Sequence, residues 1–270
     1  LANLTLLSAL ENANVGKIED AQKDFKRAIK LSPLGRREAR EQFAHFATLI
    51  AAESKIPEAV RISSVTDAIK ESELEAKDSS LDARSHLFLG SIYNAARRRA
   101  DALRAFEEAL KLSPEKQQIV FLVAQMYLDA GQNDKAVELA TFGANLDPTY
   151  GDAKRNLISI QILAGKDEIA MGVIERMISD GEASSENIKS WGSLFASRKK
   201  YDTAIRLYKT ALEVNQGDTQ TRVSLAASYY ESGRSDLAIA EIQKAIELDP
   251  SFKGQGEEFI KQIRTGAKPQ

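Results

Sequence analysis

Three prolines set the period of this chain. Pro114 and Pro148 lie 34 residues apart, and Pro250 lies three further steps of the same length beyond Pro148. Five successive windows of this length, covering residues 83–252, each predict two amphipathic helices joined by a turn. A fixed period in this range indicates a repeat array, in which each unit packs only on its neighbours.

The window at residues 83–116 shows the unit most clearly. Its pattern residues are, in order, Leu89, Gly90, Tyr93, Ala102, Phe106, Ala109 and Pro114. Gly90 and Ala102 are small where the two helices are expected to cross, and we predict that Tyr93 and Phe106 fill the gap between one helix pair and the next. This spacing resembles the tetratricopeptide repeat, which places the same residue types at the same positions.

The resemblance to tetratricopeptide repeats implies the fold class. We expect an all-α, right-handed superhelix, that is, an α-α solenoid of about seven helix pairs with a C-terminal capping helix. The predicted segments are an N-terminal repeat-like pair at 1–35, an irregular lengthened pair at 36–82, five regular units at 83–252, and a capping helix with a disordered tail at 253–270. Pro33 is expected to end the first pair.

The irregular segment has 47 residues where 34 would fit. We predict one helix at about 36–53, with Phe43, Phe46 and Ile50 on one face, and a second that starts at Pro57. The apolar stripe of the second helix is predicted from three aliphatic residues at helical spacing, Ile62, Val65 and Ile69.

Composition excludes several classes of function. With 37 basic and 39 acidic residues, the net charge of −2 argues against bulk attraction to nucleic acid. The absence of cysteine excludes disulfides, thiolate metal sites and a cysteine nucleophile. Two histidines, His45 and His86, do not form a metal-ligand pair, and His86 is predicted to pack between helices. We expect no cofactor, no metal and no catalytic site.

The first helix of each pair is expected to line a concave groove that binds a partner. Positions taken at 34-residue steps predict a basic centre between apolar flanks, floored by small polar groups. The candidate groove residues are Asn94, Phe121, Gln125, Arg155, Ser159, Lys189, Ser193 and Tyr230. We predict that the ligand is a protein or peptide segment with acidic and apolar side chains.

Two basic features of the sequence have a second interpretation. Arg155 and Lys189 are equally explained as surface charges paired with Asp152 and Glu186, three residues earlier. The run of Arg97, Arg98 and Arg99 is either a docking point for an acidic patch or phospholipid headgroups, or a solvated turn beside Asp101.

A finer resemblance lies outside the regular units. Phe25 and Ala28, the run PLGRREAREQ at 33–42 and the run LSPEKQQ at 112–118 are similar to a stretch in bacterial membrane proteins of the O-antigen ligase and polymerase type. In these proteins a soluble tetratricopeptide tail follows the membrane region that handles the glycan. The resemblance implies that this chain is such a tail, attached to a bacterial inner-membrane protein, and that the catalytic residues lie in the missing parent region.

The expected function is therefore a non-catalytic protein-interaction scaffold in cell-surface polysaccharide assembly. Two alternatives stay open: binding of a glycan or lipid-linked oligosaccharide in the same groove, and a purely structural role in self-association. The sequence does not decide the partner, the oligomeric state or the side of the membrane.

Overall fold

The computed structural model describes residues 2–31 and 35–266, and within those ranges it contains helices and no strand. Helix accounts for 82% of the chain, which confirms the all-α prediction. The helices are α1 Ala2–Asn14, α2 Ile18–Leu31, α3 Arg36–Ala51, α4 Glu58–Asp78, α5 Ala83–Ala95, α6 Arg99–Leu112, α7 Gln117–Asp129, α8 Asn133–Leu146, α9 Gly151–Leu163, α10 Asp167–Ser179, α11 Ser185–Ser197, α12 Tyr201–Val214, α13 Thr219–Glu231, α14 Ser235–Leu248, a 3-10 helix Pro250–Phe252 and α15 Lys253–Thr265. Pro33 and residues 267–270 of the predicted tail lie outside the described residues.

The chain divides into two compact units, Leu1–Tyr127 and Leu128–Gln270. In the first unit, α1 packs on α2, α3 on α4, and α5 on α6. In the second unit, α9 packs on α10, α11 on α12, and α13 on α14, and α15 packs on α14. The boundary lies inside α7, within the segment that the sequence predicts as regular repeats. None of the described helices combines the length and apolar content that crossing a bilayer requires.

The core of the first unit is centred on three phenylalanines. Phe25 of α2 lies 5.4 Å from Phe43 and 5.3 Å from Phe46 of α3, measured between ring centroids. All three side chains are buried, as is Ile50. The apolar face predicted for α3 is thus its buried face, because residues three and four apart lie on one side of a helix.

The core of the second unit joins successive helix pairs through large side chains. Ile158, Ile174 and Ile188 are fully buried beside Trp191 and Phe195. Each pair contributes a few aliphatic or aromatic residues to a continuous core, as expected for repeats that cannot bury their apolar faces alone.

One backbone position repeats through both units in the turn between the helices of a pair. Positive φ angles recur at 34-residue steps, at Arg97, Gly131, Gly165, Lys199 and Gly233. Glycine adopts this left-handed conformation at no steric cost, whereas a residue with a side chain loses about 1 kcal/mol. The recurrence explains why the sequence has glycine at three of these five turns.

Replacing Gly131 by alanine is expected to lower the free energy of unfolding by about 1 kcal/mol. Its φ is +72° and nothing lies within 4 Å of an added Cβ atom, so the backbone conformation alone opposes the change. Urea unfolding followed by circular dichroism measures the effect. Gly172 in α10 is the matched control, because an added Cβ meets nothing there either and its φ is not positive. Gly172→Ala should stabilise by about 0.5 kcal/mol; equal losses at both positions would contradict the explanation.

Although the pair α3 and α4 is longer than a regular unit, its last residue is in the same 34-residue register as the ends of the following pairs. α4 ends at Asp78, and the corresponding helices α6 and α8 end at Leu112 and Leu146. The extra residues all lie toward the turn between α3 and α4. α3 has 16 residues where α5 has 13, the loop at 52–57 replaces the shorter one at 96–98, and α4 has 21 residues where α6 has 14. α4 therefore begins about two turns early and extends past the neighbouring pair.

The predicted apolar stripe of α4 is not its buried face, so this prediction was wrong. Ile62 is 58% exposed, and Val65 and Ile69 are half-buried. The buried residues of α4 are instead small or polar: Ser64, Ala68, Ser72, Glu75 and Ala76. The apolar stripe faces the turn at 95–98, and α6 begins only at Arg99, too late to cover it.

Candidate functional site

A cleft of about 430 Å³ lies on the face that the first helices of successive pairs form in the first unit. We call it the first-helix cleft. Its lining residues are Thr48, Ala51 and Ala52 from α3 and its end, Ser91, Asn94, Ala95 and Arg97 from α5 and its turn, Phe106 from α6, and Leu122 from α7. Small side chains on α3 leave the space, and hydroxyl, amide and guanidinium groups stand beside an apolar wall. Such a mixture suits a peptide better than a charged metabolite.

Phe106 reaches this cleft because Gly90 has no side chain. A Cβ atom added at Gly90 would lie 2.5 Å from both Cδ1 and Cε1 of Phe106, so the ring rests directly on the α5 backbone. The sequence predicted that Phe106 fills the gap to the next pair; the ring packs on α5 of its own pair and also lines the cleft together with Leu122 of the next pair. Tyr93 does join two pairs, since its hydroxyl donates to Glu73 of α4 at 2.6 Å. Burial, helped by this carboxylate, raises the pKa of Tyr93 to about 12.

The predicted groove residues of the first unit have different positions. Asn94 is exposed and lines the first-helix cleft. Leu122 lines it from α7, whereas the prediction named its neighbour Phe121, which is half-buried. Gln125 is exposed, one turn further along α7.

In the second unit, the two predicted basic groove residues have carboxylate partners. Arg155 forms an ion pair with Asp152. Lys189 lies 2.6 Å from Glu186 and 3.5 Å from Asp218, with 20% of its side chain exposed. The hydrogen bond to Glu186 is the main reason that the pKa of Lys189 is raised. The pairs with Asp152 and Glu186 are those of the alternative interpretation.

Asp218 connects Lys189 to the next helix pair. Its carboxylate caps α13 by accepting from the Thr221 amide at 2.9 Å and from the Thr221 hydroxyl at 2.6 Å. Burial of Asp218 opposes its charge, but these hydrogen bonds and Lys189 hold the pKa of the carboxyl below its ordinary value. Lys189 thus bridges α11 and the start of α13 and is held in place before any ligand arrives.

Two small serine hydroxyls lie on the same face of the second unit. The Ser159 hydroxyl donates to the backbone carbonyl oxygen of Arg155 at 3.0 Å, and the Ser193 hydroxyl donates to the backbone carbonyl oxygen of Lys189 at 3.1 Å. Ser193 also accepts from the Tyr208 hydroxyl at 3.0 Å, so a residue of the second helix reaches the first-helix face. Tyr230, the remaining predicted groove residue, is half-buried.

Gly192 provides the opening for Tyr208, as Gly90 does for Phe106. An added Cβ at Gly192 would lie 2.9 Å from Cε1 of Tyr208. In each case a glycine in the first helix precedes an aromatic residue by 16 positions. This spacing is visible in the sequence and is the signal that sequence reasoning missed.

The structure also gives the positions of the two histidines and of the aromatic residues of α11 and α12. His86 is half-buried, with its Nε2 atom 3.1 Å from the carbonyl oxygen of Ser80, and His45 is exposed. Trp191, Phe195 and Tyr208 are buried core residues. In the two described ranges, no group of three or more His, Asp or Glu side chains is placed to hold a metal ion.

Two comparisons with curated proteins concern the repeats. The chain is 27% identical over 170 residues to the peroxisomal targeting signal receptor of Kluyveromyces lactis, a match that covers 62% of this chain and 30% of the receptor. It is 22% identical over 169 residues to the human protein O-mannosyl-transferase TMTC1, covering 61% of this chain and 19% of that protein. The chain therefore spans less than a third of the length of these relatives.

Among solved structures, the fold is similar to a tetratricopeptide repeat protein from Parabacteroides merdae ATCC 43184, with a TM-score of 0.60 and 12% identity. That similarity covers 97% of this chain and 98% of the other. Two family models described as tetratricopeptide repeat match residues 87–141 and 195–254. Residues 87–141 and 195–254, whose helices repeat at a 34-residue step, therefore carry tetratricopeptide repeats.

Proposed function

We propose that this protein is a non-catalytic scaffold that binds an extended or helical segment of a partner protein on the face formed by its first helices. The observation that carries the proposal is the first-helix cleft, which the polar side chains of Asn94 and Ser91 line together with Leu122 and Phe106. Amide and hydroxyl groups bind a peptide backbone, and the apolar wall accepts a side chain. The similarity to a protein described as a targeting signal receptor agrees with recognition of a peptide segment.

In the second unit, Lys189 is the proposed anchor for a ligand carboxylate, together with Arg155. An ammonium group has three N–H donors, and Lys189 uses two carboxylate partners, so one donor direction stays available. The ion pair with Asp152 holds Arg155 at the surface, where exchange of one carboxylate for another costs little. Paired surface charges of this kind are compatible with ligand binding, provided the ligand also buries apolar surface.

Charge reversal at these two residues tests the proposal. A displayed library of random peptides about 12 residues long is selected on the full chain, and the affinities of enriched peptides are measured by calorimetry. The double variant Arg155→Glu and Lys189→Glu should weaken binding at least about tenfold. Lys244→Glu is the matched control, because Lys244 pairs with Glu241 three residues earlier at 2.9 Å but lies on a second helix. Unchanged affinity in the double variant would show that neither residue anchors a ligand carboxylate.

Salt dependence separates the peptide from a glycan. Binding of an acidic peptide should weaken as salt rises from about 0.05 to 0.5 M, because screening acts on exposed charges. A neutral oligosaccharide bound in the same place should show almost no such change. Self-association as the sole function would instead appear as a stable dimer in light scattering, with no peptide enriched.

We further propose that this chain is the soluble tail of a bacterial membrane protein of cell-surface polysaccharide assembly. The support is the similarity of residues 33–42 and 112–118 to the tails of O-antigen ligase and polymerase proteins. The parent reading frame tests this proposal directly. Multiple apolar spans of about 20 residues upstream of Leu1 would support it, and a frame without them would contradict it.

A further inference from the structure

A second cleft, of about 540 Å³, lies in the first unit beside the extended start of α4. We call it the overhang cleft. Its lining residues are Ala51, Glu58, Arg61, Ile62, Val65, Thr66, Ile69, Ala95, Ala96, Arg97 and Arg98. The cleft exists because α4 is longer than α6, the corresponding helix of the next pair. α4 begins two turns early, while the neighbouring pair turns back at 95–98, so the neighbour does not cover the added turns.

The apolar floor of the overhang cleft is the stripe that the sequence predicted to be buried. Ile62, Val65 and Ile69 span seven residues, or about 10 Å along the helix axis. A stripe of three aliphatic residues at this spacing is what an amphipathic helix presents to a packing partner. Across the cleft this stripe faces the turn residues Ala95, Ala96, Arg97 and Arg98. Ile62 is 58% exposed, so part of the aliphatic surface is available to another molecule.

The rim of the overhang cleft is positive. Arg97 is exposed and has no carboxylate partner among the described residues. Arg61 donates to the carbonyl oxygens of Ala51 and Ile56, both at 3.1 Å, so its charge is not balanced by a carboxylate either. Arg98 pairs with Asp101 and stacks on the Tyr93 ring. For Arg98, but not for Arg97, this agrees with the interpretation of the arginine run as a solvated turn beside Asp101. Glu58 is the one acidic residue of the lining.

We propose that the overhang cleft binds a short amphipathic helix of a partner protein, with aliphatic residues at three- and four-residue spacing and an acidic residue that meets Arg97. Helix-in-groove recognition uses such anchors, and the unbalanced charges of Arg61 and Arg97 select a carboxylate. A bilayer fits less well, because its flat surface does not reach aliphatic side chains that lie inside a cleft between α4 and a turn. This site adjoins the proposed peptide site, because Ala51, Ala95 and Arg97 line both clefts, whereas Ile62, Val65 and Ile69 line only the overhang cleft.

A displayed library of helical peptides about 16 residues long tests the proposal. The full chain is used for selection, and the affinity of each enriched peptide is then measured for the full chain and for the variant Ile62→Asp. Enriched peptides should carry aliphatic residues at helical spacing and at least one Asp or Glu. Ile62→Asp should weaken their binding at least tenfold, and Arg97→Glu about fivefold at low salt. Circular dichroism of each variant shows that the fold is kept.

Two matched controls isolate the cleft from general surface effects. Ile169 of α10 is 57% exposed, against 58% for Ile62, so Ile169→Asp makes the same change elsewhere. Lys199 is at the turn position equivalent to Arg97 and has φ of 60° against 59°, so Lys199→Glu reverses a charge in the same backbone setting. Both controls should bind the peptides as the unmodified chain does. Leu122→Asp, which alters only the first-helix cleft, should also leave this binding unchanged.

Three results would overturn the proposal. The first is a selection in which every enriched peptide binds Ile62→Asp as well as it binds the unmodified chain. The second is cosedimentation with vesicles of phosphatidylcholine and phosphatidylglycerol that Ile62→Asp abolishes, while peptide binding is indifferent to it. The third is a dimer in light scattering that Ile62→Asp dissociates, which would make a second copy of this chain the occupant. These outcomes do not depend on whether the first-helix cleft binds a peptide, so the two proposals can fail independently.

Discussion

Arg40→Ala is expected to lower the free energy of unfolding by about 3 kcal/mol, the largest loss we predict for one side chain. Arg40 is 6% exposed, and its Nε lies 3.1 Å from Glu71 while its Nη1 lies 2.9 Å from Glu75 and 3.0 Å from Asp78. Burial opposes its charge, but the hydrogen bonds to Glu75, Asp78 and Glu71 hold the pKa of the guanidinium above its ordinary value. Without Arg40, the buried Glu75 carboxylate loses its counter-charge.

The double variant Arg40→Met with Glu75→Leu distinguishes two causes of the lower stability: loss of the ion pair itself, and burial of a carboxylate that has no counter-charge. Replacing both partners by apolar residues should cost less than about 1 kcal/mol, because no charge is then left buried. Lys111→Ala is the surface control, since Lys111 is 69% exposed and pairs with Glu108 at 2.6 Å. It should change stability by less than about 0.5 kcal/mol. Urea unfolding of all three variants measures the differences, and similar losses for Arg40→Ala and Lys111→Ala would disprove the assignment.

Gly90→Ala is expected to cost about 2 kcal/mol of unfolding free energy, although alanine is a better helix former than glycine. The added Cβ would lie 2.5 Å from two ring atoms of Phe106, so this buried ring would have to shift. Gly192→Ala should cost less, because the closest approach there is 2.9 Å to Tyr208. Thermal and urea unfolding should rank the two variants in that order.

Relief of the clash provides the test of its cause. Phe106→Leu added to Gly90→Ala should recover part of the loss, so the two changes should be non-additive by about 1 kcal/mol. Gly172→Ala, where an added Cβ meets nothing within 4 Å, should be neutral or stabilising. Strict additivity of Gly90→Ala and Phe106→Leu would show that the ring is not the obstacle. In that case the helix-crossing explanation for Gly90 fails.

The regular repeats were predictable because their information is local. Gly131 and Gly233 mark turns of the regular units. Phe43 and Phe46 likewise mark the buried face of α3 in the irregular pair, because residues at helical spacing share one side of a helix. Individual site residues were less predictable. Asn94 lines the first-helix cleft, but Leu122 lines it where Phe121 was predicted. A difference of one residue rotates a side chain by about 100° around a helix, and periodicity alone does not resolve that difference at the rim of a groove.

The helix pairs, their 34-residue step and the positions of their turns follow from the sequence, because each depends on contacts between residues close in the chain. Which side of α4 is buried depends instead on its neighbours in the fold. Its apolar stripe stays exposed or half-buried, while Ser64, Ser72 and Glu75 are buried, because α6 is two turns shorter than α4 and Arg40 supplies the charge that Glu75 needs. Burial depends on what lies opposite a helix face, and the length of the opposing hairpin is not a property of the helix itself.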